Sequence, residues 1–237
     1  MFYNPPVTLQ NSPVPFVDLS IEPHIRGFLH HPVPESDNGD SLVLTHGAGA
    51  NCESKLLLSV AALFAEAGFT VLRCDLPFRQ MRPHGPPFPG GAARDREGIR
   101  RAVGLLRERM KGRTFLGGHS YGGRQATMLI SSEPQLVDGL LLLSYPLHPP
   151  RKPMELRVNH FPELKTPALF VHGTRDPFGS IAEMRSSLDM IPARKLLVEI
   201  EGGGHDLLPR KDAGDVQGKI MSAWKTFFSP GRHDPEE

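Results

Sequence analysis

The chain has 237 residues, a formal net charge of +1 and 39% hydrophobic residues. Its 24 glycines and 24 prolines exceed average usage and exclude a helical bundle or coiled coil, while the composition as a whole excludes low-complexity disorder. The near-neutral charge excludes a general pull toward nucleic acid or anionic membrane.

This length suits one large α/β domain or two very small ones. Two cysteines, Cys52 and Cys74, are too few for a disulfide framework and have no CxxC spacing. The segment Met1-Phe2-Tyr3-Asn4-Pro5-Pro6 has no basic stretch followed by an apolar one. No apolar run approaches the ~18 residues of a membrane span. A cytoplasmic location is expected, with neither nucleic acid nor membrane as a partner.

Val14–Ser20 and Ile25–His30 read as short strands close enough to pair antiparallel. Ser41–Thr45 is a third strand, ending at His46-Gly47-Ala48-Gly49. Lys55–Ala67 places Leu58, Ala61, Ala62 and Ala65 at helical spacing, with Gly68 as a stop. Phe69–Cys74 reads as a strand, and the proline- and glycine-rich Pro77–Gly91 as a loop. Asp95–Lys111 is a helix with the stripe Ile99, Val103, Leu106 and Met110. Its charges, including Asp95 and the i, i+4 pair Glu97–Arg101, read as a solvated face.

A strand at Arg113–Gly117, a helix at Tyr121–Ser131 and a strongly apolar strand at Val137–Ser144 follow. Strands at Ala168–His172 and Lys195–Ile200 flank a helix at Ile181–Ile191, and Asp215–Phe228 is the last helix. About eight strands with helices between them predict an α/β fold with a mostly parallel sheet covered on both faces. With no repeat and no composition break, the expectation is a single domain over 1–237, with its core at about 14–228 and a short tail at 229–237.

The stretch Gly118-His119-Ser120-Tyr121-Gly122 is a G-x-S-x-G motif between a predicted strand and a predicted helix, the context of a nucleophile elbow. A serine on so sharp a turn needs small residues two positions either side, where Cβ atoms would collide. The turn also sets its Oγ at a helix N-terminus, which favours developing negative charge. Taken alone, the same five letters describe a tight turn with a serine cap.

A serine hydroxyl needs a base to take its proton and a carboxylate to orient that base. Asp176 lies just beyond the Ala168–His172 strand and His205 on a glycine-rich turn beyond the Lys195–Ile200 strand, completing the chain order Ser, acid, His. Asp206 adjoins the base and Asp75 precedes the nucleophile, so Asp176 is preferred. Donors for a tetrahedral oxyanion are expected from the Tyr121 amide and from the Ala48 amide in the loop after the third strand.

Gly47-Ala48-Gly49 followed by Asp75 also imitates a dinucleotide-binding fingerprint. The third glycine position is Cys52, however, and that reading leaves Ser120, Asp176 and His205 without a role. Histidines near strand ends, His46, His119, His172 and His205, lack the carboxylates or thiolates of a ligand set. No metal and no cofactor are expected.

These residues resemble the α/β-hydrolase superfamily from about Ser41 to Phe228. More narrowly, the chain resembles the small hydrolase-like family that includes testis-expressed protein 30 and a subunit of the non-specific-lethal acetyltransferase complex. The runs Tyr145-Pro146-Leu147-His148-Pro149-Pro150 and Asp176-Pro177-Phe178-Gly179 carry that narrower likeness. It is also similar to dienelactone hydrolases, which use cysteine where this chain has Ser120. The resemblance implies an eight-stranded, mostly parallel sheet and a catalytic triad with an oxyanion hole; it says less about chemistry, because some relatives are complex subunits.

Only Leu147–Thr166 separates two predicted strands at the position where many superfamily members insert a lid, so little or no lid is expected. An open serine site suits a small soluble ester, thioester or amide better than a triglyceride, and the likeness to dienelactone hydrolases adds a lactone. Arg79, Arg82 and Arg124, with His46, are candidate substrate-binding residues near the same sheet edge. The competing class is a non-catalytic binding or scaffold protein that has kept the fold.

Overall fold

The computed structural model describes residues 12–149, 151–207 and 215–228; the expected tail at 229–237 lies outside them. Eight strands form one sheet in the order β1-β2-β4-β3-β5-β6-β7-β8. They are β1 (Val14–Asp18), β2 (Ile25–His30), β3 (Ser41–Thr45), β4 (Thr70–Cys74), β5 (Thr114–His119), β6 (Gly139–Leu143), β7 (Ala168–Gly173) and β8 (Lys195–Ile200). The first two pair antiparallel and β2 lies antiparallel to β4; β3 to β8 are all parallel.

Successive strand side chains point to opposite faces, and the core divides accordingly. Leu140 and Leu142 of β6 join one apolar cluster, Leu141 and Leu143 the other. The first cluster is covered by α3 (Ala92–Arg109), α4 (Tyr121–Ser132) and α5 (Ile181–Leu188), the second by α1 (Lys55–Glu66) and α6 (Val216–Phe228). Burial on both faces is why β3, β4, β6 and β7 are buried at every position.

Some expectations change. The Pro77–Gly91 segment opens with a short helix, α2 (Pro77–Met81); Pro77 supplies a helical φ where no N–H is needed. The buried face of α1 is Leu57, Val60, Ala61, Phe64 and Ala65, with Leu58 and Ala62 exposed. In α3, Asp95 is buried, and Glu97 pairs with Arg100 instead of Arg101. Arg101 turns to the carbonyls of Ile21 and Pro23. Among the described residues, the segment between β6 and β7 holds only a short 3-10 turn, Phe161–Glu163, and no lid domain covers that edge. Among the described residues, no helix is long and apolar enough to cross a membrane.

Strand order places β3 next to both β4 and β5. The chain leaves β3 toward one side and β5 toward the other, which opens a crevice at their C-terminal ends, the usual binding position in such sheets.

Candidate active site

Ser120 stands in that crevice, between β5 and α4, with φ 52° and ψ −115°. This is a conformation that few L-residues adopt. Its N–H donates to Leu143 O of β6 at 2.9 Å, and the Gly122 N–H donates to His46 O at 3.1 Å, so two neighbouring strands pin the turn. Glycine is required beside it. A Cβ on Gly118 would lie 2.4 Å from the Gly123 nitrogen, and one on Gly122 2.5 Å from Thr45 Oγ1.

Asp176 and His205 come from the turns after β7 and β8. These turns lie against each other: a Cβ on Gly173 would sit 2.3 Å from Gly203 O. His205 Nδ1 is 2.8 Å from Asp176 Oδ2 and its Nε2 is 2.8 Å from Ser120 Oγ. With a proton on Nδ1, the ring donates to the carboxylate and accepts from the serine hydroxyl. Asp176 is buried, and its Oδ1 accepts the Phe178 N–H at 2.9 Å, which aims Oδ2 at the imidazole. Three groups distant in sequence thus form one continuous hydrogen-bonded chain.

Two further histidines hold this arrangement and were legible only as motif letters. His119 Nε2 is 2.8 Å from His205 O, which orients the ring as donor and anchors the His205 backbone. Burial pushes His119 down to about 4. His172, also pushed down by burial, has Nε2 2.8 Å from Gly179 O and steadies the turn after Asp176. Phe178 covers the His205 ring at 4.2 Å between centroids.

The cavity in front of Ser120 has a volume of ≈ 550 Å³ and is bordered by Ala48, Tyr121, Arg124, Pro146 and Arg157, among others. Tyr121 occupies the first position of α4, where the amide has no intrahelical acceptor. Among the described residues, neither its N–H nor that of Ala48 is taken by another group. Gly47 brings the Ala48 loop close, since a Cβ there would lie 3.4 Å from Ser120 Cβ. Two amides free among the described residues, beside a hydroxyl and an imidazole, can accommodate the oxyanion that a carbonyl oxygen becomes when that hydroxyl adds to it.

Of the four candidate substrate-binding residues, only Arg124 borders the cavity. His46 is fully buried: Nδ1 lies 2.8 Å from Gly47 O, and Nε2 accepts the Leu76 N–H at 3.0 Å. Arg79 is buried beneath the loop and donates to Ala50 O at 2.7 Å, Ala48 O at 2.8 Å and Gly85 O at 3.1 Å. Backbone carbonyls there offered acceptors that its five-donor fork could saturate. Arg82 donates to Pro86 O at 2.5 Å and lies over the Phe88 ring. The sequence reading missed Arg157, which has no motif around it, and Asp95, which accepts the Tyr121 hydroxyl at 2.7 Å and the Phe78 N–H at 3.0 Å.

The alternative nucleophiles and acids are committed elsewhere. Both cysteines are buried and free; burial raises both thiols, that of Cys74 to about 12. Asp75 accepts the Cys52 N–H at 2.8 Å.

The model of the alpha/beta hydrolase domain family matches residues 38–228. Among solved structures, the chain is similar to a dienelactone hydrolase from Anabaena variabilis, at TM-score 0.70 and 19% identity, over 92% of this chain and 97% of that one. Est1E from Butyrivibrio proteoclasticus gives 0.69 and 15%, over 90% and 97%. An α/β serine hydrolase without lid from Xanthomonas campestris gives 0.67 and 14%, over 96% and 100%. Those likenesses speak for the fold, and the match of the family model over most of the length decides membership: the chain belongs to the alpha/beta hydrolase domain family.

Proposed function

We propose that the protein is a serine hydrolase acting on a small ester-type substrate, with Ser120 as nucleophile, His205 as base and Asp176 as the group that orients it. The observation that carries this is the unbroken Ser120–His205–Asp176 chain, with both contacts at 2.8 Å, opening on a cavity that no lid domain among the described residues covers. In the reaction, Oγ attacks the carbonyl carbon as its proton passes to His205 Nε2. The Ala48 and Tyr121 amides hold the resulting oxyanion. Collapse breaks the bond to the leaving oxygen, which takes the proton from His205. Water, deprotonated by the same nitrogen, then attacks the acyl carbon; the bond to Oγ breaks as Oγ takes the proton back from His205, and the acid leaves with Ser120 regenerated.

A small substrate suits the open cavity, and esters, thioesters and lactones all undergo this acyl transfer. Est1E, similar in fold, has been solved with ferulic acid bound, and the Tyr145–Pro150 and Asp176–Gly179 runs support the narrower hydrolase-like kinship stated above. The folded wild-type protein should be labelled covalently by a fluorophosphonate probe, and Ser120→Ala should not. A wild type that stays unlabelled refutes the reading.

Arg79 enters as a positioning residue, because its guanidinium fastens Ala48 and Ala50 from below. Arg79→Lys retains the charge but loses the fork. Its kcat on a p-nitrophenyl ester should fall roughly 10- to 100-fold, short of the ~10²–10³-fold cost of removing one oxyanion donor outright, while KM changes far less. An equal loss confined to KM would mean that the loop does not position a donor.

A further inference from the structure

The cavity wall contains two arginines whose guanidinium groups have no acceptor among the described residues. Arg124 lies in the first turn of α4, just after Ser120, and Arg157 lies in the segment between β6 and β7; both border the cavity, close enough for the charge of one to act on the other. Among the described residues, neither guanidinium has a hydrogen-bond acceptor or an ion-pair partner, and Arg124 Nε is buried and unpartnered. Several other arginines among the described residues are satisfied, although Arg82 Nε is also buried and unpartnered. Arg79 saturates on backbone carbonyls, Arg73 binds His30 and the Cys52 carbonyl, Arg100 binds Glu97 and Glu133, and Arg113 binds Asp40.

The pair is also held in place. Arg157 N–H donates to Leu147 O at 2.7 Å, while its own carbonyl accepts the buried Tyr145 hydroxyl at 2.7 Å. Burial and the charge on Arg124 both push Arg157 down, and burial with that same charge holds His160 near 4 and therefore neutral. The carboxylate acting on Arg157 is that of Glu155, which is exposed and pairs with Lys152 at 2.8 Å. Two like charges have thus been gathered at a partly enclosed site with no counterion among the described residues, an arrangement that an incoming anion relieves.

We propose that Arg124 and Arg157 form an anion subsite, and that the ester cleaved at Ser120 carries a carboxylate or phosphate group held there. This rests on the serine-hydrolase reading for the reaction but not for the binding, so two measurements separate them. In the first, kcat/KM is compared within matched pairs: mono-p-nitrophenyl adipate against p-nitrophenyl hexanoate for the carboxylate, and 4-acetoxyphenyl phosphate against phenyl acetate for the phosphate. In at least one pair, the wild type should favour the anionic member roughly 10- to 100-fold. Arg157→Gln and Arg124→Gln should each bring that ratio to about one or below, with Arg157→Lys intermediate.

In the second, thermal unfolding of Ser120→Ala is followed with adipate or phenyl phosphate. At least one should raise Tm, and adding Arg157→Gln should remove the shift. Probe labelling of the wild type with no anionic preference in either pair and no Tm shift would overturn the subsite while leaving the hydrolase reading intact. Absence of labelling together with an arginine-dependent Tm shift would do the reverse.

Discussion

Ser120→Gly is expected to be inactive and yet more stable than Ser120→Ala. Both substitutions remove the hydroxyl, so kcat on an activated ester should fall by ~10⁴-fold or more, as when a triad member is lost. The stability difference has a separate cause. At φ 52° and ψ −115°, a side chain bearing Cβ is strained by ~1–3 kcal/mol. Glycine adopts that conformation freely but loses more entropy on folding, which offsets part of the relief. A net advantage of about 1 kcal/mol for glycine should appear in urea unfolding. An alanine variant that keeps its activity would remove Ser120 as nucleophile. Equal stability of the two variants would mean that the turn stores no strain.

Stability should fall steeply between pH 6.5 and 4. Burial holds His30, His119 and His160 each down to about 4, below the ~6.5 of an unfolded chain. In that interval the unfolded chain binds protons that the folded protein refuses. The contribution of these rings is therefore complete above pH ~6.5 and is lost as the pH falls through about 4, at up to ~1.4 kcal/mol per pH unit for each ring. His119 and His160 keep some contact with water, and their share is smaller. His30 is the most enclosed: its Nε2 accepts from Arg73 Nε at 2.7 Å, so protonation would destroy a hydrogen bond and oppose two cations. The buried Asp95, raised by burial, works weakly in the opposite direction. Urea unfolding at several pH values from 7.5 to 5 should give a falling midpoint, with a shallower slope in His30→Gln, whose amide oxygen can accept the same bond. A midpoint independent of pH over that range would contradict this account.

Features governed by local sterics were legible in the residues. The Ser120 turn, its flanking glycines and the strand before it follow from contacts within a few positions of each other. Asp176 and His205 were legible because parallel strands all deliver their C-terminal ends to one edge, so the residues just beyond β7 and β8 had to arrive near Ser120. Helix phase was harder. Leu56, Leu57 and Leu58 are consecutive in α1, so the pattern suits more than one face. Packing against β4 and α6 chose Leu57 and Val60 and left Leu58 in water.

Polar residues were the least legible, because a charged letter does not say whether its partner is solvent, backbone or ligand. Asp95 looked like one member of a solvated stripe and is buried under Tyr121 and Phe78. His46 and Arg79 looked like residues facing a substrate and instead hold the backbone that borders it. Arg124 was visible from its place after the elbow, while Arg157 gave no signal, since what distinguishes it is a cavity shared with a residue far away in the chain. By itself, the sequence determined the parallel α/β sheet and the order in which a serine, an acid and a histidine reach one edge of it, because strand direction and turn sterics are local. Only the tertiary structure decided which polar groups stay unpaired there, because satisfaction of a hydrogen-bonding group depends on neighbours that folding brings from distant segments.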